Sequence, residues 1–261
     1  MNLGIQGKRA LVTASSRGIG ESIAIHLAKE GAKVAIVART KADLKNVFQQ
    51  IGGKKEGHYM MVCDLTKKDA PRKVIAMIKK SWGEVDILVN NLGDTLELRD
   101  PFCPISDWRK LFRINLEVTV ELTNLVVRHM QEKKWGRIVN IASTAGMENN
   151  GPVPFCTVKA ALTAYTRSMG RVLAKTGIVM SALMVGAVYT KGGAWELAMH
   201  ERPEHVKKYL EDRCPTGKFG EPRDIATMAV VMCSQQAQFC QGSIFPVDGG
   251  QSRHYFWSRE W

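Results

Sequence analysis

No stretch of this chain stays apolar for the roughly 18 residues that a membrane-spanning helix needs. Blocks of like charge, low-complexity tracts and long repeats are also missing, which removes support for disordered, fibrous and solenoid classes. The six cysteines (Cys63, Cys103, Cys156, Cys214, Cys233, Cys240) form neither a C-x-x-C pair nor a metal-ligand spacing, so a disulfide scaffold and a metal centre both lack a framework. The opening M-N-L-G-I-Q-G-K runs almost at once into a strand and shows no signal-peptide pattern. The expectation is a soluble, cytoplasmic protein with reduced thiols and no membrane partner.

Acidic residues are the scarcer charge, 25 Asp and Glu against 37 Lys and Arg, for a net charge of +12. The bases are spread over every segment and do not gather with aromatics on one face, so nucleic acid is not an expected partner. Attraction toward anionic small molecules and a merely solvated basic surface both fit the excess.

What is present is a strict alternation. An apolar run at Lys8 to Thr13 ends at A-S-S-R-G-I-G, after which Ile19, Ile23 and Leu27 recur at helical spacing as far as Gly31. A strand at 33–38 leads to a helix that Thr40 can cap, with Asp43 at its third position. H-Y-M-M-V-C-D reads as a strand, and Thr66 reads as the cap of a helix reaching Trp82. V-D-I-L-V, ending at N-N-L-G, precedes a helix opened by Ser106 that carries Leu111, Asn115, Val118 and Leu122 on one stripe. A strand at 137–142, a helix from about 154 to 175 and a strand at 178–183 follow. A last helix at 224–234 and a strand at 243–250 close the pattern.

The alternation predicts one α/β domain over residues 1–261, a doubly wound parallel sheet of about seven strands with helices on both faces. Residues 186–221 interrupt it without a strand and read as a substrate lid. Residues 251–261 form an aromatic and basic tail.

The spacing Ala14, Gly18, Gly20 at the first strand-to-helix turn is that of a pyrophosphate cradle, in which backbone and helix N-terminus meet an anion. At the end of the second strand stands Arg39, where an NAD site would place an acid, and Arg17 can reach the same region. Two arginines there point to the 2′-phosphate of NADP(H). Asp64, Asn91 and Gly93 fall on the carboxyl edge, where such sheets bind ligands, and Asp64 is suited to accept from an adenine amino group.

The ordered set T-A-S-S-R-G-I-G, C-D-L-T, N-N-L-G, Asn115, I-A-S-T-A-G, F-x-x-x-K and V-D-G-G closely resembles the short-chain dehydrogenase/reductase family, in its ketoacyl-reductase branch, over residues 8 to about 250. The resemblance implies a Rossmann fold, a homotetramer and NADP(H)-dependent interconversion of a ketone and a secondary alcohol. By position it implies that Ser143 polarises the carbonyl oxygen, that Lys159 holds the nicotinamide ribose, and that Asn115 fixes a relay water. The implied cofactor set is Thr13, Ser15, Ser16, Arg17, Gly18, Ile19 and Gly20 in the turn, then Arg39 and Thr40, Asp64 and Leu65, Asn91 and Gly93, Lys159, and Gly186, Val188 and Thr190.

Three positions depart from the family pattern. Ala14 replaces a glycine, which a turn of compatible backbone angle accepts, and Val185 replaces a proline. Phe155 stands where the family has its proton-donating tyrosine, so the ring is kept and the ionisable hydroxyl is missing. General acid–base catalysis is commonly worth about 10² to 10⁴ in rate. Three readings compete: an inactivating Tyr-to-Phe change, a natural variant drawing its proton from water or another side chain, and a non-catalytic NADP(H)-binding sensor or scaffold.

Cys156, one position along the helix from Phe155, points away and reads as a packed thiol. His200 and His205 read as exposed. For substrate, Asp94, Glu97 and Asn149 suggest a polar mouth suited to a hydroxylated molecule, whereas Met147 and Trp195 suit an apolar one. The sequence leaves both open.

Overall fold

Short runs of Val, Ile, Leu and Ala build the inner strands because these are buried on both faces, as the β1 run R-A-L-V-T shows, while the two edge strands are only partly buried. In the computed structural model, which describes residues 2–253, the chain order is β1 (Arg9–Thr13), α1 (Gly18–Lys29), β2 (Lys33–Ala38), α2 (Lys41–Gln50), β3 (Tyr59–Val62), α3 (Ala70–Ser81), β4 (Ile87–Asn90) and α4 (Ile105–Phe112). A π-helical turn (Arg113–Glu117) joins α4 to α5 (Val118–Glu132), followed by β5 (Gly136–Ser143), α6 (Ala145–Glu148), α7 (Val153–Leu173) and β6 (Ile178–Val185). Then come α8 (Ala194–Glu201), α9 (Pro203–Arg213), α10 (Pro222–Met232) and β7 (Ile244–Val247).

The seven strands lie in the order β3-β2-β1-β4-β5-β6-β7, and every pair is parallel. Successive residues of a strand face opposite layers. In β1, Ala10 and Val12 meet α1, α2 and α10 in one core, while Leu11 meets α3 and α5 in the other. Winding reverses between β1 and β4, so the loops leaving these two strands diverge and open a crevice at their carboxyl ends.

Four local expectations are corrected. Thr66 does not cap α3: its hydroxyl and amide both donate to Asp64 Oδ1, at 2.7 and 3.0 Å. That local turn delays the helix to Ala70, where Pro71 fits the first turn. Thr40 occupies the N-cap of α2, but its side chain makes no capping bond. The single helix expected from Ser106 onward starts at Ile105 and is broken by the π turn. α10 begins two residues before Asp224, because Glu221 and Asp224 form a capping box that places Asp224 at the third helical position.

The 186–221 segment holds two helices, α8 and α9, and is tied down by a bridge between Val188 and Gly220. Its base is fixed from the far end of the chain: Gln251 accepts from the Ala187 amide at 2.9 Å and donates to the Tyr209 hydroxyl. Residues Tyr255, Phe256 and Trp257 of the tail lie outside the described residues.

Candidate active site

The crevice contains a cavity of about 510 Å³ that runs from the α1 turn to the end of β5. Its floor at the near end is the turn itself. Gly20 is enforced by close approach, since a Cβ there would lie 2.4 Å from the Ala14 carbonyl oxygen and 2.5 Å from Asn91 Nδ2. Asn91 in turn donates to the Thr13 and Ala14 carbonyls, each at 3.1 Å. No side chain caps α1, whose N-cap residue Arg17 is extended. Its first amides are therefore left for an anion, with the helix dipole aiding. These features fit a dinucleotide pyrophosphate.

Thr13 and Ser15 do not line the cavity. Thr13 Oγ1 accepts from the Asn91 and Leu92 amides at 2.9 and 3.0 Å, and Ser15 Oγ accepts from the Val37 amide at 3.0 Å. They tie β1 to its two neighbours and shape the turn from behind.

Ala14 adopts φ +50°, in the left-handed region that disfavours a side chain by about 1–2 kcal/mol. Ala14→Gly is expected to raise the unfolding free energy by about 0.5–1 kcal/mol, the relief of strain being partly offset by glycine's larger unfolded-state entropy. Urea denaturation of the two chains checks this.

At the far side of the turn the wall is Arg17, Arg39, Thr40, Asp43, Asp64 and Leu65. Both arginines are exposed. Burial opposes ionisation of Asp64, but bonds from the Thr66 hydroxyl and amide and the charge of Arg39 outweigh it and hold the carboxyl below its ordinary value.

The other end of the cavity is assembled from four elements. Asn115 is fully buried and sits at the centre of the π turn. Its Nδ2 donates to the Leu111 carbonyl at 3.0 Å, the acceptor that an α-helix would give to the Asn115 amide. This exchange accounts for the π turn, a feature common at functional sites. Asn115 also brackets residue 94, accepting from the Asp94 amide at 3.2 Å and donating to its carbonyl at 2.8 Å.

Lys159, on α7, is only 5% exposed, and its Nζ donates to the Ile141 carbonyl of β5 at 3.1 Å. Burial pulls its ammonium down to about 8, while the negative charge of Asp94 pulls the other way. Gly93 is required here: a Cβ would lie 2.8 Å from Asn115 Oδ1 and 3.0 Å from Lys159 Nζ. Ser143 closes β5 and accepts from the Ala145 amide at 3.2 Å, leaving its own hydrogen to aim into the cavity. Phe155 lies one turn before Lys159, its ring centroid 5.6 Å from Nζ, and its ring lines the same wall.

Ser143, Phe155 and Lys159 thus converge, with Asn115 directly behind Gly93. Asp94 and Thr95 line the cavity at this end, and Ile19, Gly186 and Thr190 also line it, Thr190 beside Gly18 of the turn. Val188 is buried and does not line the cavity. Glu97 and Asn149 are exposed on either side, both with positive φ. Met147 is half-buried, and Trp195 packs on Tyr209 and Phe219, with ring centroids 4.4 and 4.8 Å apart; none of these four lines the cavity. Cys156 is buried, and His200 and His205 are exposed. Asp43 and the apolar wall residues Ile114, Ile141 and Ala142 escape sequence reasoning, which had assigned Asp43 only to helix capping.

Known proteins share this fold. The family described as enoyl-(acyl carrier protein) reductase matches residues 13–252. A 3-oxoacyl-[acyl-carrier-protein] reductase of Aquifex aeolicus is 33% identical, covering 96% of this chain and 99% of its own. A (2S)-[(R)-hydroxy(phenyl)methyl]succinyl-CoA dehydrogenase subunit of Thauera aromatica is 33% identical, covering 96% of this chain and 98% of its own. Among solved structures, a 3-oxoacyl (acyl-carrier-protein) reductase of Agrobacterium tumefaciens with NADP bound superposes with a TM-score of 0.86 at 28% identity over 95% of each chain. L-Sorbose reductase of Gluconobacter frateurii, complexed with NADPH and L-sorbose, gives 0.84 at 26% identity over 96% of this chain and 98% of its own. With its seven-stranded parallel sheet and its glycine turn, with Ser143 and Lys159 on one cavity and Asn115 buried behind Gly93, this chain belongs to the short-chain dehydrogenase/reductase family, among the oxidoreductases related to the ketoacyl reductases.

Proposed function

We propose that this protein is an NADP(H)-dependent oxidoreductase that interconverts a ketone and a secondary alcohol. The observation that carries the reading is a single cavity joining Arg17 and Arg39 at one end to Ser143, Phe155 and Lys159 at the other. Arg17 and Arg39 would hold a 2′-phosphate, the amides at the start of α1 a pyrophosphate, and Lys159 the nicotinamide ribose. NADPH, when bound, supplies the hydride. Ser143 donates its hydroxyl hydrogen to the substrate carbonyl oxygen and so stabilises the negative charge that develops there. The apolar wall of Ile114, Ile141 and Ala142 limits water at the reacting carbon and strengthens that bond.

Asp94 and Thr95 at the mouth suit a substrate with hydroxyl groups beside its carbonyl, and the shallow rim of Glu97, Met147 and Asn149, with Trp195 in the lid, would shape the remainder. A panel containing a 3-oxoacyl thioester and L-sorbose, followed by NADPH absorbance, tests the reading. Turnover of at least one ketone is expected; tight NADPH binding without any turnover, in this chain and in Phe155→Tyr, would leave the second reading, a sensor or scaffold that reports NADP(H). That second reading is favoured only by Phe155.

Cofactor choice gives a separate check. Arg39→Ala removes a charge-assisted contact worth about 1.5–3 kcal/mol and is expected to weaken NADPH about 10- to 100-fold while leaving NADH nearly unchanged. Calorimetric titration with both nucleotides measures the split.

A further inference from the structure

Reduction of a carbonyl needs a proton on oxygen, and Phe155 has none to give. Resting on the reading above, we infer that the Lys159 ammonium is the proton donor of this site, acting through one water molecule on the carbonyl oxygen, with Asp94 as the positioning residue that governs its charge.

The geometry singles out this group. Lys159 lines the cavity beside Phe155, its Nζ 5.6 Å from the ring centroid, and Nζ spends one hydrogen on the Ile141 carbonyl at 3.1 Å. Among the described residues no ion pair holds the other two. The remaining proton carriers on the wall are poorer. Ser143 is an alcohol with no base beside it. Arg17 and Arg39 sit at the opposite end and do not release protons. Cys63 lies beyond β3 at that same end, where burial pushes its thiol up.

The groups facing Lys159 come from each packed element. The loop after β4 presents Asp94, the π turn presents the Asn115 amide, β5 presents the Ile141 carbonyl and Ser143, and α7 presents the Phe155 ring. Asp94 is the one charge among them, and it favours the ammonium, while burial favours the free amine. The donor is therefore held where it can both carry and release a proton near neutral pH.

The step balances. The carbonyl carbon accepts hydride, with its electron pair, from the reduced nicotinamide, and the C=O π pair moves to oxygen. Oxygen takes a proton from the water, the water takes one from Nζ, and Lys159 is left as the neutral amine until solvent reprotonates it. Asp94 touches no reacting atom, and its effect on the proton transfer runs through Lys159.

Two readouts test this on the full chain. The first is the side-chain ¹³Cε resonance of Lys159, assigned by its loss in Lys159→Met and followed against pH without nucleotide. A midpoint at about 8 is expected, moving lower in Asp94→Asn; a midpoint near the ordinary value of about 10.4, or no movement in Asp94→Asn, overturns the inference. The second is the pH profile of kcat/KM for reduction of ethyl acetoacetate by NADPH, expected to fall about tenfold per pH unit above the Lys159 midpoint. A flat profile, or no reduction at pH 6.5, overturns it.

Lys159→Arg separates a proton donor from a fixed charge. Arginine keeps the charge but does not release the proton, so reduction is expected to drop about 10²-fold or more; rescue by arginine overturns the inference. Calorimetric binding of NADPH, run alongside, keeps the outcomes distinct. Absence of binding defeats the oxidoreductase reading itself, whereas binding with an ordinary Lys159 midpoint defeats the donor role alone.

Discussion

Replacing Phe155 with tyrosine is expected to raise the rate of ketone reduction by about 10² to 10⁴, the largest single effect this structure supports. The ring is already in place: it lines the cavity, and the Lys159 ammonium stands 5.6 Å from its centroid. The new hydroxyl would meet a cation held by the Ile141 carbonyl, and a neighbouring positive charge lowers a phenol's pKa from about 10. A direct acid would then replace transfer through water. Because Phe155 lines the cavity, stability should change by less than about 0.5 kcal/mol. NADPH affinity should stay within about twofold, since none of the residues at the turn or beside Arg39 moves. The measurement is kcat and KM for both chains on the same ketone. Equal kcat values would show that residue 155 does not face the reacting oxygen.

The layout behind this expectation was largely legible in the sequence. Each strand is a short apolar run and each helix an amphipathic one, so periodicity located all seven strands of the sheet to within a few residues. Strand ends were less legible, because pairing decides them. β5 extends to Ser143 only because β6 continues beside it to Val185, a fact of the partner strand. Helix starts failed where a side chain had a better local offer. Thr66 bonds to Asp64 instead of capping, and both are short polar residues for which turn and cap compete.

The site divides along the same line. Positions set by chain spacing, such as the one-turn separation of Phe155 and Lys159 or the glycines of the turn, could be read directly. Positions set by contacts far apart in sequence could not. Asn115 could be placed on a helix stripe, but the π turn arises because its side chain takes the Leu111 carbonyl while gripping Asp94 from 21 residues away. An asparagine within a helix is a weak signal of such a distortion. The roles of Thr13 and Ser15 were likewise hidden: both belong to the turn in sequence, yet their hydroxyls are used to join strands. Trp195 lies in the 186–221 segment, but its aromatic partners Tyr209 and Phe219 are known only once α9 folds back.

Lys159→Met is expected to make the protein more stable and less active, and the pH dependence of the gain identifies its cause. Lys159 falls from an ordinary 10.5 to about 8 in the folded chain, through burial. A folded-state value below the unfolded one means that the unfolded chain binds more protons between these limits, so stability rises as pH climbs from about 8 to 10.5. Below that window the buried ammonium costs the fold about 3 kcal/mol, at about 1.4 kcal/mol for each tenfold change in proton affinity. Methionine removes this penalty and keeps an unbranched chain, but it leaves the Ile141 carbonyl without its donor, a loss of about 1 kcal/mol. The net gain at pH 7 is about 2 kcal/mol, seen as a rise in Tm of about 4–8 °C for a chain of this size. Above pH 10.5 the advantage should vanish, because the lysine is then neutral in both states. A gain of equal size at pH 7 and pH 11 would instead point to better packing. Reduction should be lost in Lys159→Met whether residue 155 is Phe or Tyr, because in either background the cation is part of the proton path. Stability surrendered at a buried cation is what a site retains when the charge serves chemistry, and the two measurements together distinguish that case from a lysine that is merely buried.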